Sequence, residues 1–391
     1  MADRAIIPET PRVRAGLGIS TRPEAQGGVE NALEAALEDL EGAPPDAVVA
    51  VATAALGQDS LAELMERLAL VLDCPAWLAA SAEGLLLADR EIVGLPGFAL
   101  AALSGVPAEV FACEGLAGRE SAAADEIASQ LSGRPGPDDL LVVFTDSQNM
   151  APAPVLEALA EVAGPAAVVG LGASEVPGGS PQVWAAGDRI EDGCAGLWLR
   201  PSRPPEIAVS DGLRPVAEEM EVTRAQGHWV LSLDGYPALE CLRDVSGPAG
   251  PGGEVQEILA LLSRAGVTGE VVRNLVGVDP ARGAFALATP VASGDRIRLA
   301  RRDSLVAREN LRADLAELPP GRPGLGLYFS CPTRGARLFE HEGLESGYLA
   351  GALGPAPLLG MMGAFQLAPD PRGAVPLLHT YSGVLARFEG S

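Results

Sequence analysis

Asp46-Ala-Val-Val-Ala-Val-Ala52, then Ser60-Leu-Ala-Glu-Leu-Met-Glu-Arg-Leu-Ala-Leu70, then Trp77-Leu-Ala-Ala-Ser81 decide the fold class. The first run is apolar on both faces and short, which is the pattern of a strand covered on two sides. The second opens on Ser60 with Glu63 three residues later, a capping signature, and continues with helical spacing. The third is again a short apolar run. Strand, helix and strand in that order predict a layered α/β unit.

Working outward, helical spacing covers 30–40, 123–131 and 154–162, and strand-like runs cover 108–113, 140–145 and 167–172. From 178 to 252 the texture changes to short runs punctuated by Gly and Pro. Segments 183–187, 195–199 and 207–210 read as a meander, and 228–233 runs into the turn Asp234-Gly235 and a helix starting at Pro237. Gly247 to Gly253 reads as a flexible loop. Beyond it, 255–264 and 304–315 predict helices, whereas 270–273, 296–299, 325–330 and the tail 374–388 predict extended chain. The expected fold is mixed α+β, with two lobes of central mixed sheets and outer helices. The expected domains are 1–215 and 216–391.

Composition narrows the function. The 391 residues carry 52 acidic and 28 basic side chains, a net charge of −24, with no basic stripe. Such a surface repels phosphate backbones, so nucleic-acid binding is not expected. The sequence contains no lysine. That removes the P-loop lysine, the kinase strand lysine and Schiff-base chemistry. The five cysteines and three histidines are too dispersed for a disulfide framework or a metal motif, so no metal is expected. The N-terminal stretch has no apolar leader segment and no run reaches membrane-spanning length, so a cytoplasmic location without membrane insertion is expected.

Gly16-Leu-Gly-Ile-Ser and Gly170-Leu-Gly-Ala-Ser begin like a dinucleotide fingerprint, but Thr21 and Glu175 stand where the third glycine belongs. A Rossmann site is not expected, and the absence of a GxSxG elbow argues against an α/β-hydrolase. The most chemically suggestive segment is Ser330-Cys331-Pro-Thr-Arg334-Gly, at the end of an apolar strand. Arg334 could hold a carboxylate in a bidentate pair, and Cys331 beside an arginine is a candidate nucleophile. A plain structural turn is the competing reading. Arg273 and Asn274 read as the end of a strand before a turn, and His379 lies in a strand-like tail where a hydrogen-bonded core histidine is the plainer reading.

Taken in succession, these segments resemble the FIST proteins, with paired FIST-N and FIST-C domains. The N-terminal part of the resemblance rests on Gly16-Leu-Gly-Ile-Ser-Thr, the strand at 46–52 and Trp77-Leu-Ala-Ala-Ser-Ala-Glu-Gly-Leu85. The C-terminal part rests on Val222-Thr-Arg-Ala-Gln-Gly, Leu233-Asp-Gly-Tyr-Pro, Val272-Arg-Asn-Leu-Val-Gly-Val-Asp-Pro280, Phe329-Ser-Cys-Pro-Thr-Arg-Gly335 and Leu378-His-Thr-Tyr-Ser-Gly383.

The resemblance implies a non-catalytic sensor that binds a small ligand, an amino acid or related metabolite, and signals to a protein partner. Its alternatives are a haem-binding nitric-oxide sensor, an interaction scaffold and a thiol enzyme using Cys331. No cofactor is expected on the main reading; for haem the axial candidates are His228, His341, His379 or a cysteine. The ligand-site candidates are Arg273, Asn274, Ser330, Cys331, Arg334, Gln366 and His379, with Ser81 and Glu83 as a second lining. Two positions depart from the family pattern: Gln366 stands where a glutamate is common, and Gly363 where a cysteine is. A glutamine offers a neutral donor and acceptor in place of an anion.

Overall fold

The computed structural model describes residues 13–24, 27–149, 151–246, 258–264, 270–369 and 376–390. Its architecture is one topological unit used three times. The first unit runs β1 (Arg14–Ser20), α1 (Gly28–Glu38), β2 (Ala47–Thr53), α2 (Gln58–Val71), β3 (Trp77–Ala82), the hairpin β4 (Gly84–Leu87) and β5 (Arg90–Val93), and β6 (Phe98–Ser104). The second repeats it with β7 (Ala108–Cys113), α3 (Ala123–Gln130), β8 (Leu140–Thr145), α4 (Pro152–Ala163), β9 (Ala167–Gly172), the hairpin β10 (Val183–Ala185) and β11 (Asp188–Ile190), and β12 (Cys194–Leu199).

The third unit starts with β13 (Glu206–Ser210) and is interrupted by an insertion. The insertion comprises β14 (Leu213–Pro215), β15 (Met220–Gln226), β16 (Trp229–Leu233), β17 (Tyr236–Pro237), α5 (Ala238–Ser246), β18 (Ile258–Ser263), β19 (Glu270–Asp279), β20 (Ala284–Leu287) and β21 (Arg296–Arg302). The unit then resumes with α6 (Ser304–Glu317), β22 (Pro323–Ser330), α7 (Ala336–Phe339), α8 (Leu344–Leu353), β23 (Leu358–Met362), the hairpin β24 (Gln366–Pro369) and β25 (Pro376–His379), and β26 (Gly383–Glu389).

Each unit builds a sheet around a central parallel pair, β2/β3, β8/β9 or β22/β23, and lends its hairpin to another unit's sheet. The sheet orders are β1-β6-β2-β3-β10-β11, β7-β12-β8-β9-β24-β25 and β13-β26-β22-β23-β4-β5. The exchange is cyclic: the hairpin of unit one completes unit three, that of unit two completes unit one, and that of unit three completes unit two. The insertion forms its own antiparallel sheet, closed on itself because β21 pairs with β18 as well as β15.

Alternation explains the layers. On β2, Ala47, Val49 and Val51 face a core shared by all three sheets, while Val48, Ala50 and Ala52 face α1 and α2. The same division holds on β8, where Phe144 faces the shared core and meets Phe329 of β22 edge to face at 6.4 Å. Strands covered on both sides are apolar throughout, which is why their runs lack alternation. Gly16 and Gly18 are accounted for here: a Cβ on either would lie 1.9 Å from Ala36 O or 1.7 Å from Ala32 O, so glycine lets α1 lie directly on β1.

The α+β class and the outer helices match the sequence expectation, and several elements differ from it. Segment 258–263, expected to be helical, is strand β18; Ile258, Ala260 and Leu262 pack in the insertion's core and Leu259 and Leu261 in a second apolar cluster, so with both faces buried a helical period and a strand look alike. The expected meander does not exist, because β10, β12 and β13 go to three different sheets. Arg273 and Asn274 lie inside the long strand β19 and not at its end. Three of the four sheets draw strands from both 1–215 and 216–391. The expected loop at 247–253 and the residues 255–257 and 374–375 lie outside the described residues. Among the described residues no helix is long and apolar enough to cross a membrane.

Candidate functional site

The three parallel pairs all end at one place. Just past their second strands, three backbone hydrogen bonds of 2.8 Å close a ring: Ser174 N to Ser81 O, Ala364 N to Gly172 O, and Glu83 N to Met362 O. Each unit donates once and accepts once, in the same sense as the hairpin exchange. The Ser174 hydroxyl ties the ring further, accepting from Glu83 N at 3.1 Å and donating to Met362 O at 3.2 Å. Ser81 is buried beneath it, its hydroxyl donating to Ser174 O at 2.6 Å.

Over this ring lies a cup of about 660 Å³ with all three ring donors, Glu83, Ser174 and Ala364, in its lining. Its walls are the segments that follow strand ends in each unit: Ala54 and Ala55 after β2, Glu175 to Gly178 after β9, and Pro332 after β22. Carboxyl ends of parallel strands are where α/β sheets leave space for ligands. Among the described residues the lining has two carboxylates, Glu83 and Glu175, and no cation. Glu175 is oriented by Gln148, whose Nε2 donates to it at 2.9 Å. The cup therefore presents negative charge above an apolar and backbone-satisfied floor, an environment that favours a ligand with an ammonium or several hydrogen-bond donors.

The sequence-derived candidates do not converge on one place. Ser81 and Glu83 lie at the cup, Ser81 in its support and Glu83 in its lining. Ser330 and Cys331 lie at the end of β22, just before the wall residue Pro332. Both are buried; Cys331 Sγ is 3.1 Å from Thr333 Oγ1, and Ser330 Oγ has no hydrogen-bond partner among the described residues. Gln366 sits on the same face of β24 as Ala368, toward the shared core. Its Nε2 donates to Gly363 O at 3.2 Å and its Oε1 is left without a partner among the described residues. His379 pairs with Gln366 across the hairpin.

Arg334 is not open to a ligand carboxylate in the way its position suggested, because the carboxylate it holds belongs to this chain. Its Nε donates to Glu345 at 2.6 Å and its Nη1 to Ser210 O at 3.2 Å, with both partners of the ion pair fully buried. The Tyr328 hydroxyl and Gly335 N complete the Glu345 carboxylate at 2.6 and 3.1 Å. Burial alone would lower the guanidinium's pKa, yet Glu345 and Tyr328 override it and raise it above its ordinary value. Burial, and then Glu345, pushes the Tyr328 phenol up as well.

Arg273 and Asn274 lie elsewhere, beside a separate cavity that also takes Leu378 and Thr380. Sequence reasoning missed Ser174, Glu175 and Pro332. A signal for two of them was present, since an acidic residue follows closely on each of the equivalent strands β3 and β9, in Ala82-Glu83 and in Ala173-Ser174-Glu175.

Comparison with known proteins adds the following. Residues 46–236 match the FIST N domain and 238–369 match the FIST C domain. Uncharacterized proteins of Mycobacterium tuberculosis and Mycobacterium bovis are each 26% identical to this chain over 96% of its length, covering 100% and 99% of their own. A crystal structure of cyanuric acid hydrolase from A. caulinodans has a TM-score of 0.38 and 10% identity, over 96% of this chain and 99% of that one.

Proposed function

Because the chain belongs to the FIST family of signal-transduction sensor domains, we propose that it is a sensor whose small ligand seats in the junction cup. The observation that carries this reading is the ring. One small volume is bounded by segments from all three units, so a ligand touching Glu83, Glu175 and Pro332 touches all three at once. The ligand class that suits the lining is an amino acid or a related amine-bearing metabolite. Its ammonium pairs with Glu83 and Glu175, and its apolar part lies against Ala54, Val176 and Pro332. Binding proceeds without turnover, and the outcome passes to a protein partner through the wall segments that occupancy draws together.

The test is a thermal-shift panel of amino acids, amines and hemin on the purified protein, repeated with Glu83→Gln. A ligand at 100 times its Kd stabilises by about 2.7 kcal/mol, which is a few degrees for a chain of this size. The expected result is a shift with one amine-bearing compound that Glu83→Gln removes. A shift that survives both Glu83→Gln and a cup-filling Ala364→Trp overturns the site. A shift with hemin and a Soret band supports a haem sensor instead.

A further inference from the structure

A second cavity, of about 240 Å³, lies where the inserted barrel meets the body. The insertion contributes Arg273 and Asn274 of β19 with Thr289 beyond β20; the body contributes Leu156 of α4 with Leu378 and Thr380 at β25. The chain carries 52 acidic residues, yet none of the ten described lining residues is Asp or Glu.

Arg273 forms no ion pair among the described residues; its recorded hydrogen bond runs from Nη1 to the carbonyl of Val272 at 2.7 Å. The charge that acts on it is another cation, Arg264, which is itself paired with Asp295 at 3.2 Å. Burial, then Arg264, lowers the Arg273 pKa below its ordinary value, as expected of a cation desolvated without a counter-ion. A half-buried charge in that state is costly unless something pairs with it.

The neighbours are arranged as donors. Asn274 Oδ1 accepts from the Tyr381 hydroxyl at 2.6 Å, and its Nδ2 protons have no recorded acceptor among the described residues. Thr289 Oγ1 accepts from Arg264 Nη2 at 3.3 Å, so its own proton is unspent. Arg273 keeps its Nε and Nη2 protons. Cationic charge and unspent donors around one cavity, with no acidic lining, define an anion site.

We propose that this cavity binds a small carboxylate anion, held by the Arg273 guanidinium with Asn274 and Thr289 as flanking donors. The fork of a guanidinium matches a carboxylate bidentately, and two uncharged donors beside it fix the orientation. The volume lies below that of drug-sized pockets, which limits the ligand to an acid of a few carbons. Such a ligand bridges barrel and body, and it is independent of the amine-seeking cup.

The experiment is calorimetric titration of the full chain at neutral pH with pyruvate, succinate, inorganic phosphate and the neutral control succinamide. One carboxylate is expected to bind with 1:1 stoichiometry, and succinamide is expected not to bind. Arg273→Ala weakens that binding by about 30-fold or more, while Glu83→Gln leaves it unchanged. A cavity-filling Ala153→Trp, at an exposed lining position on α4, abolishes it with the charge still present. The proposal is overturned if no carboxylate binds, if phosphate binds in their place, or if either cavity variant binds like the parent protein.

Discussion

The three units leave their shared core in the same way up to one residue, and there the third departs from the other two. Val51, Phe144 and Phe329 are equivalent by register, facing Ala80, Leu171 and Met361 across the parallel pairs. Two residues on come Thr53, Asp146 and Cys331. Thr53 closes its exit by accepting from Gly97 N and donating to Leu95 O, and Asp146 by accepting from Gln148 N and Asn149 N. Asp146 closes a local turn, and Thr53 ties the first exit to the single segment that links β5 to β6, with no ion pair at either among the described residues. The third exit adds a buried ion pair: Arg334 reaches Glu345 in α8, Ser210 O at the end of β13 and Tyr381 O after β25. The difference has a topological cause. Only this unit is split by an inserted barrel, and Ser210 is where its chain departs into the insertion. A single hydroxyl reaches one other segment; one long planar side chain with five donors reaches three.

Breaking that lock is the largest effect expected. Arg334→Ala leaves Glu345 buried without its cation, and Glu345→Ala leaves the guanidinium without its anion. Either costs about 3–5 kcal/mol, whereas the apolar double variant Arg334→Leu/Glu345→Leu costs markedly less, because no charge is left stranded. Urea denaturation of the three variants decides the matter. Singles losing under ~1 kcal/mol would show that the third exit is held by something other than its charge.

Gln366 sharpens the same comparison inside the core. Its equivalents, each opposite the residue before a ring acceptor, are Val183 and Leu85. Both are apolar members of the shared core, and Gln366 is as fully buried as Leu85. Leaving Oε1 without a partner there forfeits about 1–3 kcal/mol of desolvation, against a single Nε2 bond worth about 1. Gln366→Leu is therefore expected to be at least as stable as the parent chain, gaining up to about 1 kcal/mol in the same denaturation assay. A loss above ~2 kcal/mol would mean that the Gly363 bond outweighs the stranded oxygen.

How legible this was in the sequence depended on where each answer lies. The buried strands 47–53 and 140–145 and the helix Gln58–Val71 could be read locally, because period is a local property; the expected cap Ser60 instead lies inside the helix, which starts after Gly57 with no side-chain cap. The threefold reuse of one unit could not, since it shows only in which strand pairs with which. The hairpin Gly84–Val93 reads as a local excursion, yet it completes the sheet of unit three, with Leu86 opposite Gly360 of β23. The glycine doublets, from which no Rossmann site is expected, have their reason in the packing. Gly170 and Gly172 resemble a phosphate loop, but a Cβ on them would strike Val143 O at 1.8 Å and the Phe365 ring at 2.5 Å. Arg334 and Arg273 read alike as ligand-binding arginines; only the fold reveals that one brings its own carboxylate.

The smallest expected effect concerns the hairpin that unit one lends to unit three. Glu91 of β5 sits half-buried in a cleft with Asp89, Arg90, Arg337 and Glu342, close to the Arg334–Glu345 pair. Burial first, then the Glu345 charge, raises its pKa above the ordinary 4.5. A carboxyl raised on folding holds its proton in the native chain where the unfolded chain has lost it. Its stabilising contribution is therefore complete below pH 4.5 and is lost as pH rises through the folded value. Glu91→Gln removes this penalty. Relative to the parent, the variant is expected to be more stable at pH 7, by under about 1 kcal/mol at a half-buried site that solvent still screens, and to lose that advantage at pH 4. Comparing the two proteins at both pH values cancels the other carboxylates, which titrate alike in each. An advantage of equal size at pH 4 and pH 7 would mean that the lent hairpin meets the third unit's buried charge without feeling it.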